Sequence, residues 1–221
     1  MTDKGVIWDL DGVLVDTTEA HFQAWAEALS AWDIPFDRSL FDRVFGMNNE
    51  DTLTELLGRA PTQEEIIGIA GPKEDIFRQH AGELVRPMSG AIRLLDELKK
   101  AGWAQGVASS APQENIDLLM DTFNIRFYFA AILSGDGLPA GKPDPALFLQ
   151  TARALRLPPE RCVVVEDAPA GVEAARRAGM PCIAVATTRP RETLGPGTVF
   201  ADLQSVTVQT FSNVLHAGPG R

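Results

Sequence analysis

Asp9 and Asp11 stand two residues apart in "VIWDLDGVLVDT" (6–17), a run that is otherwise almost wholly apolar until Asp16. A strand buried on both faces does not usually carry carboxylates. Further along, Ser109 and Ser110 end the apolar run "AQGVASS", Lys142 stands in "GKPDP", and Glu166 and Asp167 close "CVVVED". Brought to one place, the four carboxylates would repel one another unless a cation sat among them. A hard cation with oxygen ligands, Mg²⁺ above all, answers that cost. A lysine and hydroxyl donors beside the metal then make a site for a phosphoryl group. In a strand, residues two apart face one side, which would set Asp9 beside Asp11 and turn Leu10 into the core. Asp9 could attack phosphorus and form an aspartyl-phosphate. Asp11, further out, could protonate the leaving alcohol and later deprotonate water. The metal and Lys142 would offset charge on the transferring group.

Each residue alone has a plainer reading. Asp11–Gly12 could be an ordinary turn, and the two serines or Glu166–Asp167 could cap helices. Lys142 could be a loop lysine at the surface. These readings weaken jointly, because the groups stand at the ends of separate predicted strands that would all project to one edge.

The elements that must position them follow from the pattern of apolar runs. "GVIWDL" (5–10), "AQGVAS" (104–109), "FAAILS" (129–134), "CVVVED" (162–167) and "CIAVAT" (182–187) have strand length and few polar residues. Such runs predict parallel strands covered on both faces. Amphipathic segments at 89–102, 111–123, 142–157 and 169–180 predict the helices between most of them. The alternation implies a doubly wound, Rossmann-like α/β domain, whose ligands sit beyond the carboxyl ends of the strands.

Residues 16 to 86 break that rhythm. "TTEAHFQAWAEALSAW" (17–32), "DRSLFDRVF", "NNEDTLTELLG" and "TQEEIIGIAGPKEDIFRQHAG" all read as helices, with no good strand among them. Asp16, with Glu19 three residues later, fits a capping box. The division expected is an α/β core of residues 1–15 and 87–221 with a small all-helical cap, 16–86, inserted after the first strand. Trp25, Trp32 and Phe36 are expected in the cap's own core. The tail "HAGPGR" is expected to fray.

Composition excludes other classes. A net charge of −10 over 221 residues disfavours binding nucleic acid through its phosphates. No apolar run is long enough for a membrane span, and the amino terminus lacks the features of a signal peptide. Cys162 and Cys182 lie in predicted strands and read as core packing, which suits a reducing, cytoplasmic setting. The expected partner is a small phosphorylated metabolite, bound by a monomer or weak homo-oligomer.

"DLDGVLVDT", "ASS", "GKPDP" and "VEDAPAGVEAARRAGM" together resemble, in order, the four motifs of the haloacid dehalogenase superfamily. The helical insertion is similar to the cap of the subfamily that contains β-phosphoglucomutase and many small sugar phosphatases. The resemblance implies that Asp9 is nucleophile and metal ligand. It makes Asp11 the acid/base, with its backbone carbonyl on the metal. Ser109, with Ser110 beside it, and Lys142 would bind the phosphoryl group, and Glu166 and Asp167 would hold Mg²⁺. The dehalogenases lack the second aspartate, so Asp11 speaks against dehalogenation. His21 and Lys73 match cap positions of the mutases, but Asn49 stands where they carry an arginine that grips a distal phosphate. Asn lacks the charge and fork of Arg. Hydrolysis of a phosphomonoester is therefore expected ahead of a β-phosphoglucomutase-like isomerisation. A non-catalytic phospho-receiver would have no need of a lid. A glycosyltransferase D-x-D would leave Ser109, Lys142 and the Glu166–Asp167 pair unexplained.

Overall fold

The computed structural model describes residues 2–218. Along the chain, β1 (Gly5–Trp8) and β2 (Val15–Asp16) precede α1 (Thr18–Ser30), α2 (Arg38–Val44) and α3 (Asn49–Leu57). The short α4 (Gln63–Glu65) runs through a π-helical turn, Ile66–Ala70, into α5 (Gly71–Leu84). Next come β3 (Arg86–Pro87), α6 (Ala91–Lys100), β4 (Ala104–Ser109), α7 (Gln113–Thr122), β5 (Ala131–Ser134) and α8 (Ala146–Ala154). The chain continues through β6 (Cys162–Glu166), α9 (Pro169–Arg177), β7 (Cys182–Val185), β8 (Thr198–Phe200) and α10 (Val208–Ala217).

Six strands form one sheet in the order β5-β4-β1-β6-β7-β8, and every pairing is parallel. Side chains alternate across it as a pleat requires. Val6 and Trp8 of β1 join Val107, Val163 and Val165 under α6, α7 and α10, while Ile7 joins Ala108 and Val164 under α8 and α9. Helices thus cover both faces, as the apolar runs predict. Strand β1 lies between β4 and β6, so the chain crosses outward in both directions from it. That is the switch point where α/β sheets bind ligands.

Several elements depart from expectation. The strands stop earlier than the apolar runs, β1 at Trp8 and β7 at Val185. Two more elements, β8 and α10, complete the carboxyl-terminal side. A three-residue edge strand gives too little periodicity to be read from sequence. At both borders of the helical insertion, β2 and β3 pair antiparallel, with Asp16 opposite Arg86. Asp16 is therefore a strand residue, and Thr17 is the position that precedes α1. No capping box forms there. Asp16 Oδ1 accepts from Thr18 N, at 3.1 Å, and Glu19 turns to Gln23 and Arg38. The insertion caps its helices elsewhere, with Asp37 accepting from Leu40 N and Asn48 from Asp51 N. Thr62 and Glu65 form the capping box expected of such pairs. Of the tail "HAGPGR", His216 and Ala217 belong to α10, and residues 219–221 lie outside the described residues.

The insertion has its own apolar cluster. Trp25, Leu29, Phe41, Leu53 and Ile69 are buried in it, and Trp32 and Phe36 pack against them. Helices α1 and α5 also reach the main core through Ala20, Ala24, Phe77 and Ala81. No described helix is long and apolar enough to cross a membrane. Both cysteines are free.

Candidate active site

The ladder between β1 and β6 runs one residue past the strand, because Asp9 N donates to Val165 O at 3.0 Å. The chain then turns tightly. Leu10 O accepts from Leu14 N and Val15 N, and Gly12 turns with φ +78°. A Cβ on Gly12 would lie 2.3 Å from Asp167 Oδ2, so both its conformation and its surroundings require glycine. This turn corrects the expectation that Asp9 and Asp11 sit side by side on a strand. Leu10 is buried as expected, but the two carboxylates have different partners.

Asp9 faces β6. Lys142 Nζ, from the loop before α8, donates to Asp9 Oδ1 and Glu166 Oε1, each at 2.6 Å. The other oxygen, Asp9 Oδ2, accepts no hydrogen bond among the described residues. Glu166 Oε2 accepts from Asp167 N at 2.9 Å and Ala168 N at 3.0 Å, at the start of α9. Asp167 Oδ2 accepts from Thr188 Oγ1, in the loop after β7. Gly171 of α9 lies against the Glu166 carboxylate, where a Cβ would come within 1.9 Å of Oε1.

Asp11 faces the insertion. Its Oδ1 accepts from Thr17 Oγ1 at 2.6 Å, and His21 Nε2 lies 3.4 Å away, placed to donate. Its Oδ2 accepts from Ser109 Oγ at 3.3 Å, and Ser109 Oγ accepts from Ala111 N at 3.1 Å. His21 stacks on Phe77 with ring centroids 4.1 Å apart. Ser110 lines the same cleft.

Burial and charge divide the carboxylates. Burial, aided by Glu166 and Asp11 and opposed by Lys142, pushes the Asp9 carboxyl up to about 7. Burial and the neighbouring Glu166 and Asp9 charges hold Asp167 well above the usual range. For Asp11, burial works upward but the hydrogen bonds from His21 and Thr17 outweigh it, so its carboxyl is lowered. Burial and the nearby Lys73 charge lower His21, against the pull of Asp11. Lys142 is the reverse case. Burial disfavours its charge, yet Asp9 and Glu166 more than compensate and raise it.

Oxygens of Asp9, Glu166 and Asp167 all lie within 4.8 Å of one another, and all three residues are buried. Three buried carboxylates face one lysine, Lys142, so the cluster carries surplus negative charge when ionised. A cluster of hard oxygen donors, short of positive charge and kept open by two glycines, fits a divalent cation. The Asp11 side chain is not in the cluster.

Of the expected insertion residues, His21, Asn49 and Lys73 all line the cleft that also contains Asp9 and Asp11. Asn49 Nδ2 donates to Glu74 Oε1 at 2.8 Å. Lys73 Nζ donates to the same oxygen at 2.8 Å and lies 5.1 Å from the Trp25 ring centroid. Trp25 is buried in the insertion's core, as expected, but also forms part of the cleft wall. Beyond Lys142 a wider cavity of about 600 Å³ opens, with Arg43 and Arg189 at its edge.

Sequence reasoning missed Thr17, Thr187, Thr188 and Glu74. Thr187 Oγ1 donates to Gly12 O at 2.6 Å, which braces the turn between the two aspartates. The strand-end rule could have found Thr187 and Thr188, since they directly follow the run "CIAVA". Thr17 and Glu74 had no comparable signal.

A family model of haloacid dehalogenase-like hydrolases matches residues 4–179. The β-phosphoglucomutase of Bacillus subtilis is 35% identical over 213 residues, spanning 93% of this chain and 92% of that protein. A phosphorylated carbohydrates phosphatase of Thermotoga maritima is 28% identical over 177 residues, 80% of this chain and 82% of its own. The crystal structure of β-phosphoglucomutase from Clostridium difficile aligns with a TM-score of 0.87 at 23% identity, covering 98% of each chain. At that identity the likeness is one of fold.

Proposed function

Because this chain belongs to the haloacid dehalogenase-like hydrolases, we propose that it hydrolyses a small phosphomonoester, a sugar phosphate, through a phosphorylated Asp9. The observation that carries this reading is the division of labour between Asp9 and Asp11. Lys142 takes Asp9 Oδ1 and leaves Oδ2 free to attack phosphorus. Asp11, held by Thr17, His21 and Ser109, is placed for proton transfer instead.

In the first step the new bond runs from Asp9 Oδ2 to phosphorus, and the bond from phosphorus to the ester oxygen breaks. Asp11, whose lowered carboxyl must first take up a proton from solvent, delivers that proton to the departing alcohol. In the second step water attacks the same phosphorus, Asp11 takes a proton from that water, and the Asp9–phosphorus bond breaks to release phosphate. Lys142 and Ser109 bind phosphoryl oxygens, with Ser110 beside them. Asp9, Glu166, Asp167 and the Asp11 carbonyl would hold Mg²⁺, which supplies charge to offset that of the phosphoryl group. The insertion, residues 16–86, acts as a cap domain, and His21 links its position to that of Asp11.

The 35% identity to a β-phosphoglucomutase over most of both chains favours a second reading, a phosphosugar isomerase. Asn49 weighs against it. A mutase holds a bisphosphate by both ends, and a neutral amide contributes less there than a guanidinium, by about 2 kcal/mol for a charged hydrogen bond. A panel of phosphomonoesters assayed with and without Mg²⁺ tests the hydrolase. Turnover that depends on Mg²⁺ and vanishes in Asp9→Asn, with the fold retained, is expected. Full activity in Asp9→Asn would sink the reading. Formation of glucose 6-phosphate from β-glucose 1-phosphate, dependent on a bisphosphate primer, would establish the mutase instead.

A further inference from the structure

The cleft between the insertion and the sheet edge ends in a wall of unusual charge. Lys73 and Glu74 are 3% and 6% exposed and paired at 2.8 Å. Glu74 is fixed by more than this lysine. Its Oε1 also accepts from Asn49 Nδ2 at 2.8 Å, and its Oε2 from Asn115 Nδ2 at 2.5 Å. Asn115 lies on α7, just beyond the Ser109–Ser110 turn, so Glu74 ties the insertion to the sheet domain at that turn. Among the described residues lining this cleft, Lys73 is the one lysine or arginine. Trp25, Phe41, Met47 and Pro112 supply apolar surface around it.

We propose that Glu74 sets the substrate class, cancelling the Lys73 charge so that the cleft accepts monophosphates of uncharged, hydroxylated alcohols and rejects esters that carry a second phosphate. The inference rests on the reading of Asp9 as the phosphoryl acceptor. A second phosphate carries nearly two negative charges, and here it would meet a wall with no net charge. Its oxygens would lie near a fixed carboxylate, and like charges in a partly buried cleft repel strongly. Lys73 cannot leave Glu74 to serve that phosphate without stranding a buried carboxylate. A sugar hydroxyl has no such difficulty. Among the described residues Glu74 Oε2 accepts from Asn115 alone, and it can accept a second hydrogen bond. The Lys73 charge also helps keep Glu74 ionised against burial, which preserves the repulsion.

The test compares glucose 1-phosphate with glucose 1,6-bisphosphate of the same anomer, in wild type and Glu74→Gln. Each competes against p-nitrophenyl phosphate turnover, in Mg²⁺. Wild type is expected to prefer the monophosphate by tenfold or more, and Glu74→Gln to reduce that preference at least tenfold. A general loosening of the cleft would weaken both ligands together and leave the ratio alone. An unchanged ratio in the variant, or a wild type that prefers the bisphosphate, overturns the proposal. Should Glu74→Gln fail to fold, Asn49→Arg adds a positive charge to the same wall and must move the ratio the same way. If no ester is turned over, the hydrolase reading fails separately. Calorimetric binding of the two glucose phosphates then reads the same ratio.

Discussion

The Lys142 ammonium lies 2.6 Å from the Asp9 carboxylate, with both side chains almost closed to water. The same ammonium lies 2.6 Å from Glu166, so one point charge serves two carboxylates that come from different strands. Lys142→Ala is expected to lower kcat about 100- to 1,000-fold, the usual cost of removing a donor aimed at developing charge. Lys142→Arg is not expected to restore it, because a planar fork does not fit the place of a compact ammonium. Steady-state kinetics on both variants checks this, and activity near wild type in Lys142→Ala would remove the lysine from the proposed mechanism.

Cation binding should be visible without turnover. The Asp9, Glu166 and Asp167 cluster exists only in the folded chain, so a cation bound there stabilises that state. At about 100 times its Kd, Mg²⁺ is expected to add about 2.7 kcal/mol to unfolding stability. Urea titrations with Mg²⁺ and with a chelator measure the difference. Asp167→Asn should reduce it markedly, and an equal response in wild type and variant would place the ion elsewhere.

Gly171 is a packing requirement of Glu166. A methyl group there would overlap the carboxylate, at 1.9 Å from Oε1. Gly171→Ala should move Glu166 off Lys142 and cost roughly 1–3 kcal/mol, as overpacking does. Loss of Mg²⁺ affinity should accompany the loss of stability. A variant with unchanged stability and affinity would mean that α9 shifts freely to make room.

The Glu74 network should give the junction an acid-sensitive stability. Burial pushes the Glu74 carboxyl up, but Lys73, His21 and the hydrogen bonds from Lys73 and Asn49 outweigh it, so the folded value is lowered. The folded state then binds this proton less tightly than the unfolded chain. The contribution is full above the ordinary glutamate value of about 4.3 and is lost as pH falls through the folded value. Urea unfolding between pH 7 and 3.5 should show a steeper decline in wild type than in Glu74→Gln. Lys73→Met, which leaves the carboxylate buried without its cation, should cost roughly 3 kcal/mol at pH 7. Equal slopes for wild type and Glu74→Gln would count against a lowered Glu74.

Much of this arrangement was legible in the chain. The run "CVVVED" is apolar on every residue but the last two, which says both that the strand is covered on two faces and that its end is not. Placing Asp9, Ser109, Lys142 and Glu166 together needed only the rule that ligands gather at one sheet edge. Asp16 shows where local reasoning fails. Its spacing to Glu19 satisfies a capping box, but pairing with Arg86 across the linker ribbon takes the residue into a strand. A pattern of four residues cannot weigh a partner seventy positions away.

What the sequence alone determined was the alternation of strands and helices, the place of the helical insertion and the identity of the groups at the strand ends. All follow from local hydrophobic period and from chemistry carried by single residues. The tertiary structure decided which carboxylate faces which partner. It turned Asp9 to Lys142 and Asp11 to Thr17 and His21, through a tight turn that the strand period did not foresee. It also joined Glu74 to Asn49 and Asn115, from α3 and α7, into one buried network. Such contacts depend on how separate elements pack. No residue in the chain carries that information by its type or by its neighbours in sequence.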